Sequence, residues 1–357
     1  MLQILLGVAA LISSIMVFLV LGYQFIILFL AEGRSLEQKN FEVLPEITVI
    51  VPTYNEESCI RDKLENLFEL DYPVEKIDVM VVDGGSDDST EEIVADFDVR
   101  FIDIGHRGKI KAMNRGMEEA KTDLVLFTDA DVILNKNALK NSLKYMNEDV
   151  AAVGGISDIK TDLMIGDGKV EYHSDDWKLR CKESRLINTC SLDGKFILVD
   201  KNSLGRIDED AFVDDQEITN ILWKKGFRSV VVPDVKVSET SSDSMLDDLN
   251  NMRRRCRLSI MNAFQNLDVL KDFNNYSYLV FPFRRFFNYM IPFYFFFIGL
   301  YLSIYAPVYL LILLTINIVL SLLKPKIMYY NLLVIALCFS WIDILFGNIR
   351  KGCRWDY

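Results

Sequence analysis

Two long apolar stretches enclose a charged middle, and this division limits the folds that the chain can adopt. Residues 2–31 contain no Asp, Glu, Lys or Arg, and no charged residue lies between Arg285 and Lys324. A helix needs about 20 apolar residues to cross a bilayer. A cleaved signal peptide normally starts with basic residues and has a shorter apolar core, so we expect a retained transmembrane anchor at residues 1–33.

The C-terminal part of the chain also has the composition of a membrane-embedded region. Three apolar blocks cover residues 286–303, 304–323 and 327–347, after a mixture of aromatic and basic residues that is typical of the membrane interface. We predict an interfacial helix and two to three membrane segments at residues 276–349, followed by a basic tail at 350–357. The chain is therefore expected to be an integral membrane protein that contacts the lipid bilayer.

The positions of the basic residues predict an orientation in the membrane. Arg34 and Lys39 follow the first apolar stretch, which favours a cytoplasmic location for the middle domain. The basic tail at 350–357 favours the same side. Three full crossings would place that tail outside, so we predict that one of the three blocks is re-entrant or interfacial.

The middle of the chain, residues 45–275, is charged and free of long apolar runs, which predicts one globular domain. A net charge of −12 and the absence of a basic binding face argue against nucleic acid as a partner. The six cysteines form no C-x-x-C pair, and only two histidines occur. A structural zinc site and a Ser-His-Asp triad are therefore both disfavoured.

Strand and helix patterns alternate through this domain. Short β-branched or apolar runs predict strands at 47–51, 77–82, 100–104 and 124–127, and apolar residues at helical spacing predict a helix at 57–69. Such alternation implies an α/β fold with a parallel, doubly wound sheet. Ligands of such sheets bind at the carboxyl ends of the strands.

Two carboxylates directly follow the fourth predicted strand. Asp129 and Asp131 are two residues apart, so a turn lets both reach one cation, and their hard oxygens suit Mg²⁺ or Mn²⁺ held against a diphosphate. The chain has no G-x-G-x-x-G and no Walker motif. Dinucleotide and P-loop sites are therefore disfavoured. The remaining candidate ligand is a nucleoside diphosphate compound that binds through a metal held by these carboxylates. Asp215 is then a candidate general base, and Arg255 a candidate partner for a leaving diphosphate.

Five motifs occur in an order that resembles the family 2 glycosyltransferases with the GT-A fold, over residues 46–260. P-x-Y-N-E is found at 52–56, D-G-G-S-x-D-x-T at 83–90, and G-K-x-x-A-x-N-x-G at 108–116. The D-x-D motif is Asp129-Ala130-Asp131, and the acidic base motif is Asp214-Asp215. The resemblance implies a GT-A-type doubly wound mixed sheet, and the flanking apolar segments fit the membrane-embedded branch of the family.

The resemblance also implies roles for the matching residues. Asp131 and Asp129 would hold Mg²⁺ or Mn²⁺, and Gly194 and Asp214 would lie on the acceptor side. Asp215 would deprotonate a hydroxyl acceptor, such as a lipid-linked sugar or a growing glycan, with inversion at the sugar carbon. The donor, a UDP- or GDP-sugar, would be bound by Pro52, Thr53, Tyr54, Glu56, Asp83, Lys109, Asp129 and Arg255.

Several alternatives stay open. Processive synthases of the cellulose or hyaluronan type carry Q-x-x-R-W where residues 252–256 read M-R-R-R-C, and the missing Gln and Trp argue against processive synthesis. A polyprenyl-phosphate sugar synthase uses an acceptor that is already ionised, so the Asp214-Asp215 motif favours a hydroxyl acceptor instead. The non-enzyme alternatives are an inert membrane protein that binds nucleotide sugars, and a transporter, against which the scarcity of intramembrane charge argues.

Overall fold

A computed structural model describes residues 1–105, 108–160, 166–240, 244–271 and 276–347. These residues divide into two compact units. The sheet unit comprises the described parts of 33–160 and 183–241, and the helical unit those of 1–32, 161–182 and 242–349. The predicted domain bounds of 1–33, 45–275 and 276–349 stay predictions, and the basic tail at 350–357 lies outside the described residues.

The elements follow one another in an order that alternates strands and helices through the middle of the chain. In sequence order they are α1 (Leu2–Leu30), β1 (Ile47–Thr53), α2 (Ile60–Phe68), β2 (Ile77–Asp83), α3 (Thr90–Val94), β3 (Arg100–Asp103), α4 (Lys109–Glu119), β4 (Leu124–Phe127), β5 (Val132–Leu134), α5 (Ala138–Leu143), β6 (Val150–Lys160), α6 (Gly166–Leu186), β7 (Ile197–Asp200), α7 (Lys201–Leu204), α8 (Asp214–Lys224), β8 (Arg228–Thr240), α9 (Met245–Gln265), α10 (Ile291–Tyr305), α11 (Pro307–Leu323) and α12 (Pro325–Leu345).

The described strands form one mixed sheet in the order β3-β2-β1-β4-β7-β6-β8-β5. β1 pairs in parallel with β2 and β4, and β2 pairs in parallel with β3. β7 runs antiparallel to both β4 and β6. The predicted α/β fold with a mixed sheet is confirmed, and the carboxyl ends of β1, β2 and β4 lie at one edge, where ligands of such sheets bind.

β1 extends two residues further than predicted and carries a proline inside a central strand. The Ile50 carbonyl accepts a bond from the Thr128 N–H on the β4 side, and the Thr53 carbonyl accepts one from the Gly84 N–H on the β2 side. Backbone groups alternate between the two neighbours along a strand. The Pro52 nitrogen therefore faces the β4 side beyond the end of β4, and its missing N–H takes no bond from that ladder.

In the helical unit, α1 from Gln3 to Leu30 and α12 are each long and apolar enough to cross a membrane. The segments Tyr276–Phe287 and Ile291–Tyr305 meet at a bend of 65° and make a third candidate if they count as one span. α11 has 17 residues and is shorter. These candidates are drawn from the described helices alone, so the number of C-terminal crossings and the re-entrant block stay predictions.

Two buried carboxylates of the helical unit, Asp248 and Asp343, each face basic side chains. Lys169 of α6 and Asp248 of α9 are both buried, and their Nζ and Oδ1 atoms lie 2.5 Å apart. Asp343 of α12 is 2% exposed and pairs with Arg253 and Arg257 of α9. A charge removed from water is costly unless it is paired, so these contacts tie α9 to α6 and to α12.

Candidate active site at the sheet edge

The loops after β1 and β2 are joined through the carboxylate of Asp83, which is 2% exposed. It accepts bonds from the Thr53 hydroxyl at 3.0 Å, the Gly85 and Ser86 amides at 2.8 and 2.7 Å, and the Ser86 hydroxyl at 2.6 Å. Four bonds use the accepting capacity of a carboxylate. Asp83 therefore holds its own loop in shape, and its predicted contact with the nucleotide stays a prediction.

Asn55 joins the same two loops at a second point. Its φ of 57° lies in the left-handed region, which Asn tolerates better than most residues. Its side chain donates to Asp87 Oδ1 at 2.8 Å and accepts from the Asp87 N–H at 3.0 Å, while the Glu56 N–H donates to the Thr90 hydroxyl at 2.9 Å. The motifs at 52–56 and 83–90 thus form one preorganised rim, in which Tyr54 is buried.

Carboxylates gather where the D-x-D turn meets this rim. Asp129 is partly buried and Asp131 is exposed. Burial, together with the charges of Asp131 and Asp129, raises the pKa of Glu56 from its ordinary value of 4.5 to about 7. Burial also raises the pKa of Asp129, against the opposing charge of Lys109. A group of carboxylates that raise one another's pKa is stabilised most by an added cation.

Lys109 joins the D-x-D turn to the helix of the predicted base. Its Nζ lies 2.7 Å from Asp129 Oδ1 and 2.8 Å from Asp214 Oδ2. Burial acts to lower the pKa of Lys109, but the two carboxylates outweigh it and hold that pKa well above its ordinary value. A Cβ at Gly194 would lie 3.2 Å from Lys109 Nζ and 3.5 Å from Asp214 Oδ2, so the glycine leaves room for this bridge.

Asp215 is the second residue of α8, and its Oδ2 lies 2.8 Å from the hydroxyl of Ser191. Ser191 begins the loop 191–196, which also contains Gly194. The amino end of a helix favours negative charge, and both Asp214 and Asp215 lie in the first turn of α8. The structure thus holds Asp215 beside the loop 191–196, and both its role as general base and the acceptor side of that loop stay predictions.

Two residues of the motif at 108–116 support the site without lying in it. The buried Asn114 amide donates to the Ile207 carbonyl at 2.8 Å and accepts from the Ile207 N–H at 2.9 Å. A Cβ at Gly116 would lie 2.7 Å from two side-chain carbons of Ile50, so the glycine lets α4 approach β1 closely. These contacts fix α4 and therefore the Lys109 at its start.

A buried lysine that the sequence motifs did not indicate lies beneath the D-x-D turn. Lys63 of α2 is fully buried, and its Nζ donates to the Thr128 hydroxyl at 2.7 Å and to the Val132 carbonyl at 3.0 Å. Burial lowers its pKa to about 7, although Asp129 and Asp131 act to raise it. The available signal was a charged residue on the apolar face of α2, next to Ile60, Leu64 and Leu67.

The fit of a divalent cation depends on what completes its coordination. In the part of the chain that the structure describes, no group of three or more His, Cys, Asp or Glu side chains forms a metal site. Mg²⁺ is usually held by one or two carboxylates together with substrate phosphates and water. Asp131 and Asp129, in surroundings rich in carboxylates, therefore fit an ion that binds together with a diphosphate.

Arg255 is the predicted site residue that belongs to the helical unit. It lies on α9 and is exposed, whereas Arg253 and Arg257 of the same helix pair with Asp343. Cys256, at the position of the tryptophan in Q-x-x-R-W, is buried in an apolar cluster with Ile260 and Leu337. The contact of Arg255 with a diphosphate stays a prediction.

Comparison with known proteins identifies relatives of the sheet unit and of the whole fold. Residues 48–208 match the sequence profile of glycosyl transferase family 2. The chain is 28% identical over 201 residues to a poly-β-1,6-N-acetyl-D-glucosamine synthase of Staphylococcus aureus, covering 53% of this chain and 48% of that protein. It is 31% identical over 211 residues to the synthase of the same name from Staphylococcus epidermidis, covering 54% and 48%. The chain thus spans about half the length of these curated relatives.

A solved structure shares the fold over nearly the whole chain. It is that of the mannosyltransferase PcManGT from Pyrobaculum calidifontis in complex with GDP-Man and Mn²⁺. The match has a TM-score of 0.79 and 22% sequence identity, and it covers 96% of this chain and 100% of the other. At this level of identity the match establishes the architecture of the chain.

Proposed function

We propose that this chain, whose residues 48–208 match the profile of glycosyl transferase family 2, moves a sugar from a nucleoside diphosphate donor to a hydroxyl acceptor at the membrane. The bridge that Lys109 makes between Asp129 and Asp214 carries this proposal. It holds the D-x-D turn, which suits a diphosphate, next to the helix that bears Asp215. A donor and an acceptor can therefore meet at one point of the sheet edge.

The proposed donor is a UDP- or GDP-sugar. Its nucleoside would lie along the rim made by the loops after β1 and β2, against Pro52, Thr53, Tyr54, Glu56 and Asp83. That rim is held by its own hydrogen bonds, so a ligand can bind with little cost in loop ordering. PcManGT, which shares this fold, was solved with GDP-Man and Mn²⁺, in keeping with a nucleotide sugar and a divalent ion here.

The proposed reaction is a single displacement. The Asp215 carboxylate accepts the proton of the acceptor hydroxyl, and the resulting oxygen attacks the anomeric carbon while the bond to the diphosphate breaks. Attack opposite the leaving group inverts the configuration at that carbon. Lys109 offsets negative charge on the departing diphosphate, with Arg255 proposed as a second cation. When bound by Asp131 and Asp129, Mg²⁺ or Mn²⁺ supplies further charge neutralisation.

The acceptor and the orientation follow from the membrane segments. Two helices of the described chain are able to cross a bilayer, so the acceptor is proposed to be a lipid-linked sugar or a glycan that grows at the membrane. Nucleotide sugars are cytosolic compounds, and Arg34 and Lys39 follow α1. The active site is therefore proposed to face the cytoplasm.

Processive polysaccharide synthesis is the second candidate function, because the two matched relatives are named as polysaccharide synthases. The burial of Cys256 favours single transfer instead. A side chain in an apolar cluster does not present a surface on which an acceptor sugar can stack. Product length separates the two functions: single transfer gives one added sugar per acceptor, and processive synthesis gives long chains at low conversion.

A donor screen tests the proposal. The full-length protein in native membranes is given UDP- and GDP-sugars with Mn²⁺, and nucleotide diphosphate release and sugar incorporation are measured. Asp215→Asn should lower transfer by about 10²–10⁴-fold, the contribution of a general base, and should leave donor affinity largely unchanged. The exposed Asp210→Asn serves as the matched control. Transfer by Asp215→Asn at the wild-type rate, or no turnover of any donor by the wild type, would show the proposal to be wrong.

A further inference from the structure

The buried Lys63 has no part in the proposed chemistry, yet its placement is costly. An ammonium group loses its hydration when buried, and lysine is almost never fully buried unless it is paired. Its neighbours on the same face of α2, Ile60, Leu64 and Leu67, are apolar and pack into the core of the sheet unit. An apolar side chain would satisfy packing at this position, so the ammonium needs another explanation.

The two oxygens that Lys63 binds lie on either side of the D-x-D turn. Thr128 is the residue before Asp129, and Val132 is the residue after Asp131. One ammonium therefore holds both ends of the turn, at 2.7 Å from the Thr128 hydroxyl and 3.0 Å from the Val132 carbonyl.

Thr128 extends this contact to the acceptor-side loop. Its hydroxyl accepts from Lys63 and donates to the main-chain carbonyl of Lys195 at 2.8 Å. Thr128 is itself fully buried, so water does not compete for these bonds. Lys195 follows Gly194, whose missing Cβ leaves room for the Lys109 bridge.

The same loop is held from a second direction by polar side chains. The Ser157 hydroxyl donates to Asp193 Oδ2 at 2.6 Å, and Lys195 Nζ lies 3.2 Å from the Ser157 hydroxyl oxygen. The segment 193–195 is thus fixed by β6 through its side chains and by Thr128 through its backbone. The Thr128 hydroxyl, held by Lys63, links this segment to the residue before the D-x-D turn, next to the pairing of β4 with β7 at Phe127 and Ile197.

We propose that Lys63 is a positioning residue which, through Thr128, sets the D-x-D turn against the loop at 193–195, so that the activated sugar reaches an acceptor hydroxyl rather than water. This inference rests on the proposed function, because it concerns how that reaction divides between transfer and hydrolysis. Without the Lys63–Thr128 contact, the donor stays bound and reactive, but the loop at 193–195 is held less firmly against the D-x-D turn. Small misplacements of reacting groups lower rates steeply.

The test compares Thr128→Val, which removes the hydroxyl at nearly constant volume, with Thr128→Ser, which keeps it. Lys63→Met removes the ammonium, and Lys121→Met, at an exposed lysine, is its control. We expect Thr128→Val and Lys63→Met to lower the ratio of sugar transfer to donor hydrolysis by about tenfold, with donor KM changed by less than about twofold. Thr128→Ser and Lys121→Met should keep the wild-type ratio.

A loss of folded protein lowers transfer and hydrolysis by the same factor, so the ratio separates positioning from a merely structural role. An unchanged ratio in Thr128→Val and Lys63→Met would overturn the inference, while the proposed function would stand.

Hydrogen exchange supplies a readout that needs no activity. In the detergent-solubilised full-length protein, both variants should exchange faster at 129–132 and at 193–196 than the wild type, with no change at 83–90. If the wild type turns over no donor, the proposed function fails and the link is then judged by exchange alone. Unchanged exchange at either segment would contradict it.

Discussion

The helical unit and the sheet edge differ in how many basic side chains face their carboxylates. In the helical unit, Lys169 faces Asp248 in a pair whose charges cancel. At the sheet edge, the single ammonium of Lys109 faces both Asp129 and Asp214, and burial together with neighbouring carboxylates raises the pKa of Asp129 and of Glu56. Matched pairs serve to join helices. An excess of carboxylate is tolerated where a cation binds, so the imbalance supports the proposed cation site at the D-x-D turn.

Removing one partner of the buried Lys169–Asp248 pair should give the largest effect, a loss of stability of the folded protein. Lys169→Met leaves the carboxylate of Asp248 buried without this ammonium, and removal of one partner of a buried pair costs about 3–5 kcal/mol. The unfolding temperature of the solubilised protein, followed by tryptophan fluorescence, should fall accordingly. The double variant Lys169→Met/Asp248→Leu should recover most of the loss. Wild-type stability in the single variant would mean that the pair does not hold α6 to α9.

Removing the ammonium of Lys109, which increases the excess of carboxylate at the sheet edge, should give the next largest effect. Lys109→Met leaves Asp129 and Asp214 without the ammonium between them, and their repulsion should move the D-x-D turn away from α8. We expect sugar transfer to fall by about 10²-fold, the scale seen when one charge-stabilising group is removed from an active site. Lys111→Met, at an exposed lysine of the same helix, should keep the wild-type rate. A rate for Lys109→Met within about twofold of the wild type would show that Lys109 has no role in sugar transfer.

A smaller perturbation of the same bridge is available at Gly194. A methyl group there would lie 3.2 Å from Lys109 Nζ, tighter than ordinary contact, so Gly194→Ala must shift the flexible end of the lysine by a few tenths of an ångström. We expect transfer to fall by less than about tenfold, with no measurable loss of stability. Gly226→Ala is unsuitable as a control because that glycine has a φ of 88°. Gly22→Ala, whose Cβ meets nothing within 4 Å, is suitable. A loss of stability would show that the added methyl group strains the fold and not only the contact of Lys109 with Asp129 and Asp214.

The smallest effect is a pH dependence of stability. Because the pKa of Glu56 is raised from 4.5 to about 7, the folded state keeps a proton that the unfolded state releases in this range. The contribution of Glu56 to stability is therefore fully present below about pH 4.5 and is lost as the pH rises through about 7. Glu56→Gln does not titrate, so its unfolding temperature relative to the wild type should rise across this window. A constant difference would show that Glu56 has an ordinary pKa.

Strands β1 to β4 were predictable from local sequence patterns. The strand predicted at 77–82 lies within β2, and the run at 124–127 is β4, because alternating apolar runs and turns are encoded by neighbouring residues. The position of β7 between β4 and β6, which makes the sheet mixed, depends on pairing between distant segments. The sequence contains no local signal for such pairing, and here the mixed sheet followed from the resemblance alone.

The motifs named residues that the structure brings into contact, while their roles stay predictions. Lys109, Asp129 and Asp214 each follow a strand or begin a helix at the same sheet edge, and the ammonium of Lys109 contacts both carboxylates. The motifs could not show that Asp83 accepts four hydrogen bonds from Thr53, Gly85 and Ser86, or that Lys63 lies under the D-x-D turn. Both facts depend on hydrogen-bond partners, and the partners of Lys63 are more than 60 residues away in sequence.

The excess of carboxylate at the D-x-D turn is proposed to bind a divalent cation together with a nucleoside diphosphate. Electron paramagnetic resonance of Mn²⁺ added to the full-length solubilised protein, with UDP or GDP present, tests it without relying on turnover. We predict that the wild type and the exposed-site control Asp98→Asn bind Mn²⁺ alike, and that Asp131→Asn binds it at least about tenfold more weakly, because one of two carboxylate ligands is lost. Binding of Mn²⁺ by Asp131→Asn with wild-type affinity would show that Asp131 is not a ligand of the cation.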